Sequence, residues 1–229
     1  MTDGLEQYPS PRIRDHARAG VQAAVSTLPF GGTVNQLIDA VMAPSIERRQ
    51  TRWFKQLADI VDELKGRFDD FDFEQLADNE VFVTAVLDAS RIAVTTHREE
   101  KLALLRNVLL RLAIESDCDE FLALQMLRFV DELEPEHFIV LRYCADPGGW
   151  YDANEIDRSH LVQSSLRAVM NGARLPVTGQ GLEIVRRDLS DHGLVNFDGF
   201  TVTVSGNSMW RPPATELGRS LLEFVAAQD

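Results

Sequence analysis

Lysine and cysteine are nearly missing from this chain of 229 residues. The basic side chains are 20 arginines and 3 lysines, and Cys118 and Cys144 are the only thiols. Two isolated cysteines, with no Cys-x-x-Cys pair, favour a reducing compartment over a disulfide framework. The bias toward arginine is read as genome composition and carries no binding signal. Long apolar runs are lacking as well. No stretch of about 18 residues is free of strongly polar groups, so no ordinary transmembrane helix is expected. The opening Met-Thr-Asp-Gly-Leu-Glu has neither the basic region nor the apolar run of a signal peptide. The expected location is the cytoplasm.

Signatures of catalysis are equally scarce. Neither glycine cluster, Phe30-Gly31-Gly32-Thr33 or Gly179-Gln180-Gly181, is followed by the Gly-Lys-Ser/Thr of a phosphate loop. His16, His97, His137, His160 and His192 are scattered without zinc-ligand spacing. No Gly-x-Ser-x-Gly elbow occurs. Cys118 sits among Asp117, Asp119 and Glu120, whose charges disfavour a thiolate and make a poor nucleophile. Asp70, Asp72 and Glu74 have the opening spacing of a calcium loop. Gln75 stands where that loop needs glycine, however, and Val81 where it needs a bidentate carboxylate, which excludes an EF-hand. His97-Arg98-Glu99-Glu100-Lys101 reads as a junction between helices. The expectation is a protein without catalytic residues, metal or cofactor.

What is abundant is acid. Thirty-six acidic side chains against 23 basic ones give a formal charge of −13. Residues 1–130 carry 21 acids and 15 bases, a net of −6, and residues 131–229 carry 15 and 8, a net of −7. Both halves therefore repel nucleic acid over about a Debye length, unless arginines are gathered on one face. Apolar residues at 45% and charged residues at 26% are those of an ordinary folded protein, long enough for one large domain or two modest ones.

Residues 1–18, polar and holding Pro9 and Pro11, are expected to form a loose tail. Residues 19–133 read as a helical interaction domain. Val21, Val25 and Leu28 have helical spacing, Pro29-Phe30-Gly31-Gly32 interrupts it, and Val34, Leu37, Ile38, Val41 and Met42 resume it up to Pro44. Ser45 can cap the next helix, whose stripe is Trp53, Leu57, Ile60, Val61 and Leu64, with Gly66 at its end. Residues 69–80 carry six acids and no base. Asn79 then caps a helix with Phe82, Val86, Ala89 and Ala93 on one face. Two more helices follow, with Leu102, Leu105, Leu109 and Leu112, and with Leu122, Met126, Phe129 and Leu133. Short linkers between such stripes predict an antiparallel bundle.

From residue 134 the character changes. Pro135 suits the first turn of a helix with Phe138, Ile139 and Leu141, ending near Asp146-Pro147-Gly148-Gly149. Asp157 or Ser159 can cap a helix with Val162, Leu166, Val169 and Met170, closed by Asn171-Gly172. Next comes a helix with Leu182, Val185 and Leu189 inward. Leu194-Val195-Asn196-Phe197 and Phe200-Thr201-Val202-Thr203-Val204 alternate like strands about an Asp198-Gly199 hairpin turn. Thr215 caps a last helix through Leu217, Leu221, Leu222 and Val225.

Three helices, a hairpin and a closing helix give residues 134–229 the order of a winged helix. The string Asp188-Leu189-Ser190-Asp191-His192-Gly193-Leu194-Val195 resembles the end of a winged-helix recognition helix, "D-L-x-x-x-G-L-[IV]". Ala214-Thr215-Glu216-Leu217-Gly218-Arg219 is similar to the "L-T-x-L-G-x" that opens the closing helix of many bacterial members, with Ala214 in place of leucine. The resemblance covers about residues 134–227. It implies a mainly α protein, with an N-terminal helical bundle and a C-terminal winged helix carrying a small β-hairpin. Separately, Leu28-Pro29-Phe30-Gly31-Gly32 through Pro44 and Arg48-Arg49 resembles the openings of small uncharacterised helical bacterial proteins, some linked to mobile-element or phage-defence loci. That resemblance carries over no active residue.

Winged helices dock either DNA or protein. A DNA reader needs outward Lys, Arg, Asn or Gln on the third helix and bases on the wing. Here Arg186, Arg187 and Ser190 face outward beside Glu183, Asp188 and Asp191, and the wing has no base before Arg211. A charge-balanced helix releases few counterions. Arg186, Arg187, Ser190 and Arg211 are thus the candidate partner-binding residues, and the expected partner is a protein, or a second copy of the chain, rather than nucleic acid. A sequence-specific DNA-binding regulator is the alternative. Residues 19–46, an apolar hairpin with Phe30 at its turn and Arg48, Arg49 and Arg52 on its flank, supply a second alternative: a membrane-directed effector, or an oligomer contact. Asn35, Gln36 and Asp39 argue for packing against protein, because burying them unpaired in lipid costs several kcal/mol.

Overall fold

Apolar side chains three and four residues apart recur from Trp53 to Leu133, and in the computed structural model each such run is a helix. The structure describes residues 43–68, 73–115, 119–159, 161 and 163–227. The tail at 1–18, the apolar segment through Met42 with Phe30, and Asp70, Asp72, Cys118, His160 and Val162 lie outside the described residues. The chain divides between Arg52 and Trp53 into two compact units.

Of the first unit, residues 43–52 are described, as the opening turns of α1 (Ala43–Arg67). The helix starts before the expected cap at Ser45. Pro44 lies in its first turn, where the N–H that proline lacks would have no partner anyway. Arg48 folds back on this turn, donating to the Pro44 carbonyl at 3.1 Å and the Ser45 hydroxyl at 3.4 Å. Arg49 and Arg52 are half-buried.

In the second unit, α1 is followed by α2 (Phe73–Ala77), α3 (Glu80–Thr95), α4 (Glu99–Ile114) and α5 (Glu120–Glu132). Asn79 caps α3 as expected, accepting from the Val81 and Phe82 N–H groups at 3.0 and 3.1 Å. Ala85, Ala89 and Ala93 of α3 are fully buried, and such small side chains let α4 and α5 approach closely. Leu102, Leu105, Leu109 and Leu112 of α4 fill the centre. Trp53 is buried too, and its indole N–H donates to Ser90 at 2.8 Å. On α5 and at its end the expected Met126, Phe129 and Leu133 are buried, together with Ala123, Leu127 and Val130, whereas Leu122 is 40% exposed. Three of the four expected inward residues are thus in the core, and Leu122 alone lies outside it. Asp119 caps α5 by accepting from the Leu122 N–H, so Leu122 sits in an open first turn.

The chain continues with α6 (Pro135–Ala145), α7 (Pro147–Ala153), β1 (Gln163–Ser165), α8 (Leu166–Gly172), α9 (Gly179–Asp191), β2 (Thr203–Ser205), a 3₁₀ turn at Gly206–Trp210 and α10 (Glu216–Phe224). Asp146-Pro147 begins a helix as well as ending one. The Asp146 carboxylate accepts from the Gly149 N–H, and Pro147 takes the first position. Helix α8 starts later than expected, with Ser165 as its cap, because residues 163–165 form a strand. Buried Leu141, Cys144, Leu189, Leu194, Leu221 and Phe224 join the same core as Leu105 and Leu109. Residues 53–133 and 134–227 thus share one interior.

The β structure differs from the expected hairpin. Asp198 and Gly199 do occupy the centre of a tight turn: the Phe200 N–H donates to the Phe197 carbonyl at 2.9 Å, and Gly199 has a φ of 71°, where glycine avoids a Cβ clash. A second turn follows at once, from Gly199 to Val202, and carries the chain away from 194–197. Residues 203–205 pair antiparallel with 163–165 instead. Residues 194–196 find their antiparallel partner at 213–215, with a bridge from Val195 to Ala214 and bonds of 2.7 Å from Asn196 N–H to Pro213 and 3.0 Å from Thr215 N–H to Leu194. The chain is mainly helical with a two-stranded antiparallel sheet. Among the described residues no helix is long and apolar enough to cross a membrane.

Candidate interaction surface

Helix α9 buries Leu182, Val185 and Leu189, spaced three and four apart, and packs this stripe on α6. The other face holds Glu183, Ile184, Arg187 and Asp191, all exposed. Ile184 is 43% exposed, a large apolar side chain in the middle of the charged face.

Arg186 is not free to reach a partner. Its guanidinium donates two hydrogen bonds to one Glu183 oxygen, at 3.0 and 3.1 Å. The same group lies 5.1 Å from the Phe200 ring centre and 5.6 Å from that of Phe197. The two rings pack edge to face, 4.9 Å apart, across the Asp198-Gly199 turn. Carboxylate and aromatic faces each favour a cation, so Arg186 is held from both sides. Glu183 is also 3.9 Å from Arg167, which further spends its charge inside the molecule. The Ser190 hydroxyl turns back to donate to the Arg186 carbonyl at 3.0 Å. Arg187 remains outward, 65% exposed, with a loose 3.8 Å approach to Asp188.

Asp188 does a second job. One of its oxygens is 3.3 Å from His137 Nε2, while His137 Nδ1 accepts from the Glu134 N–H at 3.1 Å. Both ring nitrogens are thereby engaged, and the histidine ties α9 to the start of α6. His192 Nε2 stands 3.0 Å from Glu132, at the end of α5, and its ring packs at a tilt against Phe129, with centres 5.5 Å apart. Burial pushes the Cys144 thiol and the Tyr143 hydroxyl well above their ordinary ranges, so both stay protonated.

Beside this face, the ladder at 194–196 and 213–215 borders a groove of about 340 Å³. Its walls include Arg211, Arg219, Asn196, Asp198 and Thr215. The Thr215 hydroxyl accepts from the Gly218 N–H at 3.1 Å and donates to the Gly193 carbonyl at 2.8 Å, which fixes the start of α10. Asn196 and Asp198 satisfy each other through two bonds of 3.0 and 2.8 Å. Arg211 and Arg219 make no ion pair with any described residue.

Of the four partner-binding candidates of the sequence, Arg186 and Ser190 are bonded inside the molecule. Arg187 is presented to solvent, and Arg211 lines the groove. Arg219 was not foreseen, since nothing local distinguishes an arginine in an amphipathic helix until the ladder brings residues 196–198 beside it. No family model, curated protein or solved structure matches the chain.

Proposed function

We propose that this is a non-enzymatic regulatory or interaction protein whose C-terminal half docks a protein partner through the α9 surface. Supporting a winged-helix reading of that half is its element order: a helix with the short α7 behind it, a strand, two helices, then a small ladder that returns to a closing helix. The observation that carries the choice of partner is the double engagement of Arg186 by Glu183 and by the Phe197–Phe200 pair. Reading a guanine edge bidentately would require this guanidinium to leave both. What α9 offers outward instead is Ile184 among charges of both signs. An apolar anchor within a polar rim suits a protein surface.

The test is a photo-crosslinking side chain installed at Ile184 in the full-length protein inside cells. The expected adducts are protease-sensitive and nuclease-resistant, and they disappear when Arg187→Glu is added. Adducts removed by nuclease would reject protein docking. A DNA-binding regulator is the second reading, favoured by the outward Arg187 and Arg167. It requires sequence-dependent, nanomolar duplex binding at about 150 mM salt.

A further inference from the structure

We propose that the groove between Arg211 and Arg219 binds the carboxylates of an acidic peptide segment on the partner protein. This rests on the protein-docking reading above and assigns its specificity to a second set of residues. The groove holds one acid and two bases, and they differ in how far they are satisfied. Asp198 is already hydrogen-bonded by the Asn196 amide and orders the turn through its own N–H. Arg211 and Arg219, both exposed, have no described anionic neighbour within ion-pair distance. Arg128, Arg142 and Arg174 also make no ion pair with a described residue, but none of them lines this groove, where two such arginines stand together. Elsewhere the arginines are commonly paired: Arg91 with Asp131, Arg98 with Glu136, Arg106 with Glu63, Arg158 with Asp152 and Arg186 with Glu183.

A second groove, beside Lys101, shows the contrast. It is of similar size, about 290 Å³, but its cations are used. Lys101 donates to the Asp131 carbonyl at 2.8 Å and to Glu134 at 3.3 Å, and Arg98 is bonded to Glu136. Its Lys101 and Arg98 are thus already engaged by acceptors of the molecule itself. Arg211 and Arg219 make no such pair with a described residue.

Two guanidinium forks suit either carboxylate or phosphate. The surroundings select between them. A duplex brings a phosphate charge about every 1.7 Å, and useful affinity takes roughly six to ten phosphate contacts. Two arginines set in a body of net charge −13, beside the internally neutralised α9, do not supply that number. A peptide can bring two or three carboxylates to the groove and keep the rest of its length neutral. Thr215 and the Pro212-Pro213 wall give a floor that is fixed by the ladder, so little ordering cost falls on binding.

The experiment uses the full chain and fluorescence polarisation. The probes are a short labelled peptide mixing Asp and Glu with Ser and Gly, its Asn/Gln counterpart, and a labelled duplex of mixed sequence. Binding of the acidic peptide, weakened by salt, is expected, with none for the amide peptide. Arg211→Glu and Arg219→Glu should each weaken it about tenfold or more, whereas Arg128→Glu, exposed on α5 and outside the groove, should change it less than about twofold. Arg211→Gln and Arg219→Gln give a smaller loss in the same order, and thermal melts confirm that all variants fold. Equal binding of both peptides, or an equal loss in Arg128→Glu, overturns the proposal. So does displacement of the peptide by inorganic phosphate far better than by chloride at matched ionic strength, which would make the groove a phosphate site. Failure of the peptide to bind, with protein adducts still formed at Ile184, sinks the groove alone. Tight duplex binding sinks both readings.

Discussion

The side-chain amide of Asn107 donates to the backbone carbonyl of Val225, 2.9 Å away and 118 residues later in the chain. Arg111, one turn further along α4, donates to the Glu223 carbonyl at 2.7 Å and lays its guanidinium 5.6 Å from the Phe224 ring centre. The last carbonyls of any helix lack intrahelical partners. Here the helical half of the chain provides them for α10.

The first prediction follows from that arrangement. Asn107→Ala and Arg111→Ala should each destabilise the protein by about 1 kcal/mol, the usual scale for one such hydrogen bond. The more telling measurement is cooperativity. Tryptophan fluorescence and far-UV circular dichroism should report one coincident urea transition, because Leu109 and Leu221 belong to the same core. Two separated transitions would show that residues 53–133 and 134–227 fold independently.

Gly218 gives a prediction whose sign runs against helix propensity. Replacing a helical glycine by alanine ordinarily stabilises by about 0.5–1 kcal/mol. At Gly218 a Cβ would strike the Leu194 carbonyl and crowd the Leu141 side chain. Helix α10 would have to lift from the ladder, and the cost should be about 1–3 kcal/mol, as for other overpacked sites. Gly66, where a Cβ meets nothing, is the control. Gly66→Ala should be neutral or stabilising in the same melt.

The glycine of the Ala214–Arg219 motif was legible as a pattern, but its reason was not. It lies in a contact between Gly218 and Leu194, which no local window contains. The same holds for the strands. Asp198-Gly199 announced a turn, and a turn formed there. Which segments pair afterwards depends on Gly199–Val202 closing a second turn and on the free edge at 163–165, both non-local facts. Helices were more legible, because a 3.6-residue stripe is written into neighbouring residues. Even so, the stripe of α5 runs one residue too far at its open first turn, with Met126, Phe129 and Leu133 inside and Leu122 outside. For the candidate site, residue type marked Arg186 and Arg211 alike. Only geometry shows that the first is engaged and the second is open.

Leu109 tests the centre of the helical half. It is fully buried on α4, beside Leu105 and Leu110. Leu109→Ala should cost about 2–5 kcal/mol, the range for a buried leucine that leaves a cavity. Leu87, 68% exposed on α3, is the matched control, and Leu87→Ala should stay within about 0.5 kcal/mol. A loss at Leu109 below about half a kcal/mol in a urea melt would place that stripe outside the core.

The last prediction concerns acid. The Glu136 carboxyl is held below its ordinary range, chiefly by the hydrogen bond from the Arg98 guanidinium at 2.8 Å, against the opposing effect of burial. This pair joins the start of α4 to the first turn of α6. A carboxylate whose pKa is lowered in the folded state stabilises fully above its unfolded pKa, near 4.3–4.5. The contribution disappears as pH falls through the lower, folded value. Arg98 stays charged throughout, so all of the change belongs to Glu136. Glu136→Gln should therefore lower the urea midpoint at pH 7, and the gap from wild type should narrow as pH falls below the unfolded value. Glu100 is also lowered, first by its own backbone N–H at the start of α4, so Glu100→Gln should remove a separate part of the same acid limb. A gap between wild type and Glu136→Gln that persists unchanged to the acid end would assign the effect to lost packing and not to charge.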